Sequence, residues 1–260
     1  MLGRMDPNSK EALARRRDAG TLTWRGPALI LFARTVFAVP AQAVAAGILA
    51  LRGSPSPWLD AAPWFPLYAS LIDAGCLAVL WRATRREGIR LFDLVGFERH
   101  RLARDVLLGL GIIPIGLALI FAGTYGAGWL LFGEPAQPYF NDPLPLAATL
   151  YGVVVFPILW GLTEQMTYNG YLLPRLQILS RSTALAVAFV AFVWSAQHAF
   201  MPTTLDPGYM AFRLISPLPF SIFQTLLYLR LRRLIPFIVA HALMDGATVV
   251  IGSLLPLLRA

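Results

Sequence analysis

The chain has 260 residues, of which 57% are hydrophobic and only 14% charged. Soluble domains carry about 25% charged residues, so this composition excludes an ordinary water-soluble globule and a disordered chain alike. The net charge is +8, from one lysine, Lys10, and many arginines that collect at the ends of apolar runs; that placement fits membrane orientation, and no nucleic-acid partner is expected.

A helix needs about 20 apolar residues to cross a bilayer. In chain order, residues 1–25 read as a polar, basic tail with Arg15, Arg16 and Arg17 in a row. Seven apolar runs follow, at 26–51, 61–81, 105–133, 145–171, 182–201, 209–229 and 234–258. The expected fold is therefore all-α, a polytopic transmembrane helical bundle of about seven spanning helices with room for an eighth, and residues 26–260 form one integral membrane domain. The connecting segments alternate in charge. Residues 82–104 hold seven arginines interleaved with Leu91, Phe92, Leu94, Val95 and Phe97, a pattern for a short interfacial helix or a solvated loop. Segment 134–142 has two acids and no base, Arg175 and Arg181 flank the next turn, and Arg230, Arg232 and Arg233 fill the last. Positive segments on one side place the N-terminus in the cytoplasm, with a bacterial inner (plasma) membrane as the expected location and membrane lipid as a partner. Cys76 is the single cysteine, which leaves neither a disulfide framework nor a CxxC motif.

An ionisable residue inside an apolar run costs about 2.5–3.5 kcal/mol on insertion scales, so each needs a reason. Six stand out: Arg34, Asp73, Glu164, His198, His241 and Asp245. Arg34 and Asp73 lie at similar depth on antiparallel neighbours and either form a buried ion pair or separate, with Arg34 reaching to the surface. The other four are both histidines of the C-terminal half and two of its five acids, and two carboxylates with two imidazoles inside apolar runs point to a shared polar cavity. His241 and Asp245 are spaced i, i+4 and share a helix face, as do Gln165 and Asn169, and Trp194 and His198. Glu164 is turned about 100° from Gln165, so it can face a cavity while the Gln–Asn pair faces a neighbouring helix. For Trp194, simple packing is the plain alternative.

These residues and their order resemble the CPBP family, the CAAX-protease and bacteriocin-processing (Abi) intramembrane proteins, with their motifs EExxxR, FxxxH and HxxxN or HxxxD. Here the first reads Glu164-Gln165-Met166-Thr167-Tyr168-Asn169, the second Trp194-Ser195-Ala196-Gln197-His198 and the third His241-Ala242-Leu243-Met244-Asp245. The motif-bearing core is 143–250. Two departures stand together: the second Glu is Gln165 and the Arg is Asn169, so both charges of an i, i+4 pair are gone. A Gln–Asn hydrogen bond in the same place leaves no half-broken buried pair, which would cost about 3–5 kcal/mol.

The resemblance implies an intramembrane endopeptidase that hydrolyses a peptide bond in a membrane-anchored protein or peptide. Glu164 and His198 would activate water, and His241 would donate to the oxyanion while Asp245 accepts a hydrogen bond from His241 and holds it. Gln165, Asn169 and Trp194 would support them. No cofactor is expected; the alternative is zinc held by Glu164, His198 and His241. Two other readings stay open, a catalytically impaired relative acting as a membrane binding or immunity protein, and a proton-coupled transporter. One count conflicts with a shared site. At 1.5 Å per residue, Glu164 and His241 lie roughly 12–17 Å inward from Arg175 and Arg233, whereas His198 lies roughly 25 Å from Arg181.

Overall fold

The computed structural model describes residues 6–135 and 144–259. Among them, seven helical stretches are long and apolar enough to cross a membrane, which makes the chain an integral membrane protein of the all-α bundle class. Of the expected break at 134–142, residues 136–142 lie outside the described residues.

The polar tail is folded. Helix α1 (Lys10–Asp18) starts at Ser9, whose side chain accepts the Ala12 N–H; Glu11 in its first turn and Arg15, Arg16 and Arg17 in its last complement the helix dipole. Helices α2 (Arg25–Leu31) and α3 (Ala33–Leu51) make the first span, and a short α4 (Pro57–Asp60) leads into α5 (Phe65–Arg86), the second. The arginine-rich segment that follows forms two single 3-10 turns, Leu91–Leu94 and Arg99–Arg101, in place of one interfacial helix. Its apolar residues are divided: Leu94 and Val95 enter the core, while Phe92 and Phe97 stay exposed. Helix α6 (Leu102–Phe132) is the third span and stops at Gly133, whose left-handed φ of 71° favours glycine.

The fourth span runs on past its expected end. Helix α7 (Leu146–Gln165) passes through a π-helical turn, Met166–Leu172, into α8 (Leu173–Ser180), and the hairpin turn falls at Arg181. Arg175 is therefore a buried helical residue, not a surface marker. It can lie there because its guanidinium is fully partnered: two nitrogens bond the Glu87 carboxylate at 2.8–3.2 Å, Nη1 reaches Asn8 Oδ1 at 2.9 Å, and the group stacks on Tyr171 at 4.0 Å. Asn8 also donates to the Gly170 carbonyl at 2.9 Å, so this cluster fastens α1 onto α8, with Leu13 buried beneath. The depth conflict disappears with this correction. Counted from Arg181, Glu164 and His198 are each seventeen residues away on the two arms of one antiparallel hairpin.

Helix α9 (Thr183–Ala196), capped by Ser182, continues into a 3-10 turn, Gln197–Phe200. Helices α10 (Pro207–Ile215) and α11 (Leu218–Leu231) form the sixth span, α12 (Ile235–Val249) the seventh, and a π-helical turn leads to α13 (Leu255–Arg259). Small residues let the spans touch. A Cβ on Gly161 of α7 would lie 3.3 Å from the His241 side chain, and one on Gly109 of α6 would lie 2.8 Å from the Pro236 carbonyl oxygen. Close backbone approach of this kind drives helix association where lipid removes the hydrophobic force.

Removing one partner from a buried ion pair costs about 3–5 kcal/mol. Glu87→Ala should cost that much stability in detergent, and limited proteolysis should then cut within 6–22, a segment the intact protein protects.

Candidate active site

Three spans meet at Glu164. It lies on the last turn of α7, and neither it nor Gln165 has exposed surface. One carboxylate oxygen, Oε2, accepts the indole N–H of Trp194 on α9 at 2.8 Å; the other, Oε1, accepts the Gln197 amide at 2.5 Å. From α12, His241 Nε2 stands 3.5 Å from Glu164 Oε2 and 3.4 Å from Asp245 Oδ2, the i, i+4 contact expected from the spacing. Glu164, His241 and Asp245 are thus one cluster.

The Gln165–Asn169 pair exists and faces another helix, α11. Asn169 donates to Gln165 Oε1 at 2.8 Å, and Gln165 Nε2 donates to Gln224 Oε1 at 2.6 Å. The same amide nitrogen lies 3.4 Å from His241 Nδ1. An N–H presented to Nδ1 fits the imidazole tautomer with its proton on Nε2, the nitrogen facing the two carboxylates.

His198 is close in sequence to this cluster and differently held. Its Nδ1 lies 3.0 Å from the Trp194 carbonyl oxygen and 3.2 Å from that of Ser195. Carbonyls only accept, so Nδ1 carries the hydrogen and Nε2 keeps a lone pair. His198 has no direct hydrogen bond to Glu164. Among the described residues, no three His, Cys, Asp or Glu side chains are grouped to hold a metal, so Glu164, His198 and His241 do not form the zinc ligand set considered above.

The expected Arg34–Asp73 pair is present, with Arg34 Nη1 2.9 Å from Asp73 Oδ1 and both residues buried. Arg34 does not reach the surface. It also belongs to the site, which sequence reasoning missed. Its Nε donates to Gln197 Oε1 at 3.0 Å, stands 3.9 Å from Glu164 Oε1, and its guanidinium stacks 3.9 Å over Trp160. The Tyr168 hydroxyl donates to the same Gln197 oxygen at 3.0 Å and its ring stacks on Trp194. Arginine has no acceptor, so Gln197 must turn its oxygen to Arg34 and its NH2 to Glu164. Gln197, Tyr168 and Gln224 were the other residues missed. Their only signal was polarity within an apolar run, which uncharged groups give weakly.

The fold and cluster define an integral membrane protein whose spanning helices close over a buried carboxylate, an imidazole and a second carboxylate, with His198 on the adjoining turn. Residues 146–247 match the family model described as type II CAAX prenyl endopeptidase Rce1-like, within the CPBP family, and that stretch runs from α7 to α12 and contains all three motifs. The family is one of CAAX-type intramembrane proteases. No curated protein and no solved structure matches the chain.

Trp194 provides a bond that phenylalanine cannot. Hydrogen bonds to charged groups contribute about 1.5–3 kcal/mol. Trp194→Phe should cost that much thermal stability in the natural chain and much less in a Glu164→Leu background, a difference that a double-mutant cycle reads directly.

Proposed function

We propose that this protein is an intramembrane endopeptidase that cleaves a membrane-anchored protein or peptide, with prenylated CAAX-type substrates the first to try. The observation that carries this reading is the convergence of Glu164, His241 and Asp245, from two spans, beside a third span that orients Glu164 through Trp194 and Gln197. Glu164 is the general base. Its two bonded oxygens retain lone pairs, and the donors fix the plane in which those lone pairs point. His198 assists by accepting a hydrogen bond from the attacking water at Nε2. The His241 Nε2–H is the donor to the developing oxyanion; the Gln165 amide at Nδ1 keeps the hydrogen on Nε2, and Asp245, which faces that same Nε2, positions the ring before substrate arrives. A peptide carbonyl arriving at His241 takes over a hydrogen that otherwise faces the two carboxylates. Glu164 has no exposed surface, so the spans open to admit substrate and water.

That same closure favours a second reading, a non-catalytic relative in which Trp194 and Gln197 simply satisfy a buried carboxylate. Reconstitution in vesicles with prenylated and unprenylated C-terminal peptides separates the two. Positioned acid–base catalysis contributes about 10²–10⁴-fold, so Glu164→Gln should lower cleavage by at least that range's lower end while leaving peptide binding intact. Equal cleavage by both proteins, or none by the natural chain, would overturn the peptidase reading. Cleavage should also survive a strong chelator.

The neutral pair is an exchangeable unit. Gln165→Glu and Asn169→Arg should each destabilise the protein by about 3–5 kcal/mol, whereas the double change should recover most of that loss in a thermal melt.

A further inference from the structure

The search beyond the site leads to the first two spans. Between α2–α3 and α5 lies a cavity of about 1100 Å³, larger than the roughly 300–1,000 Å³ of ordinary small-molecule sites. Its floor is apolar, formed by Leu29, Val36, Phe37 and Ala78. The Phe37 ring rests against the bare backbone of Gly75, where a Cβ would come within 2.8 Å of it. At the other end stand Arg25, which opens α2, and Arg82 and Arg86, from the last turns of α5. Arg25 and Phe37 are twelve positions apart along α2 and α3, which meet at Phe32, or roughly 18 Å at about 1.5 Å per residue, so the cavity is long as well as large.

The three arginines are exposed, and none forms an ion pair among the described residues. The acid on that rim, Glu87, is committed to Arg175. Trp81, on the rim, is half exposed, and so is the nearby Trp24, as expected of side chains at a membrane–water boundary. An open apolar groove ending in uncompensated guanidinium groups matches a molecule with a hydrocarbon chain and an anionic phosphate head. Guanidinium groups bind phosphate oxygens in pairs, and basic pockets between spanning helices take anionic headgroups.

We propose that this cavity is a binding site for an anionic glycerophospholipid, with one acyl chain along Leu29, Val36, Phe37 and Ala78 and the phosphate head among Arg25, Arg82 and Arg86. The lipid then packs against the two helices whose inner faces carry Arg34 and Asp73, and it steadies that pair from outside. The site is independent of peptide cleavage.

The test uses the full chain, stripped of lipid in detergent, with phosphatidylglycerol or phosphatidylcholine added back. Native mass spectrometry and thermal melting are the readouts. Phosphatidylglycerol should be retained about tenfold or more over phosphatidylcholine and should raise the melting temperature. Removing three charges at the cavity, Arg25→Gln with Arg82→Gln and Arg86→Gln, should abolish that preference. Removing three exposed charges elsewhere, Arg99→Gln with Arg104→Gln and Arg230→Gln, should leave it. Ala78→Trp fills the floor without altering charge and should reduce retention of phosphatidylglycerol. A preference that survives the first triple variant, or falls equally in the second, overturns the proposal. So does unchanged retention in Ala78→Trp, stabilisation by inorganic phosphate alone, or displacement of the lipid by a prenylcysteine methyl ester, which has no phosphate.

Discussion

The amide of Gln197 connects the two halves of this molecule. Its oxygen holds Arg34 and Tyr168, and its nitrogen holds Glu164, so a charge from the first span and a charge from the fourth are joined through a neutral group. An ionised side chain in the middle of a membrane persists only where every polar atom near it finds a partner. Arg34 approaches that condition: Nη1 is held by Asp73, Nε by Gln197, and the guanidinium lies on the face of Trp160, while Nη2 and Asp73 Oδ2 stay without a hydrogen-bond partner among the described residues. Glu164 meets it through Trp194 and Gln197. Neither arrangement closes without the other, which ties the region outside the matched family segment to the region inside it.

The variant first motif makes sense against this background. With Gln165 and Asn169, the ladder running from Asn169 through Gln165 to Gln224 is uncharged. Charge near Glu164 is supplied instead from across the bundle by Arg34, whose Nε lies 3.9 Å from the carboxylate. Trp194 adds a donor on the other oxygen. Around Glu164 the site thus holds a set of neutral hydrogen bonds and one remote cation where the family resemblance implies a local ion pair. Its geometry rests on four amides, Asn169, Gln165, Gln224 and Gln197, and the Trp194 indole.

A second buried arginine follows the same logic at the end of the bundle. Arg175 is held by Glu87 and Asn8, and through them the basic N-terminal helix becomes part of the folded core. This contact extends the fourth span to Ser180 and brings Glu164 and His198 level on one hairpin. Reading Arg175 as a marker of the membrane surface put the two at different depths, because sequence shows the charge of an arginine and not the partner that lets it be buried.

Apolar run length determined the seven spans, and the scarcity of charge singled out Glu164, His198, His241 and Asp245 along with the Arg34–Asp73 pair. Both signals are local and strong, since the bilayer demands about 20 apolar residues per crossing and penalises each charge within them. The i, i+4 spacings likewise fixed the His241–Asp245 and Gln165–Asn169 contacts, which lie on single helices. What only the tertiary structure decided are the contacts between helices: Gln197 and Trp194 on Glu164, Gln224 on Gln165, Arg34 within the site and Asn8 on Arg175. Uncharged amides look alike in sequence whether they face lipid, a loop or a carboxylate. Only the packing of the spans, as where Gly161 lets α7 approach His241 on α12, decides which of these a given amide meets.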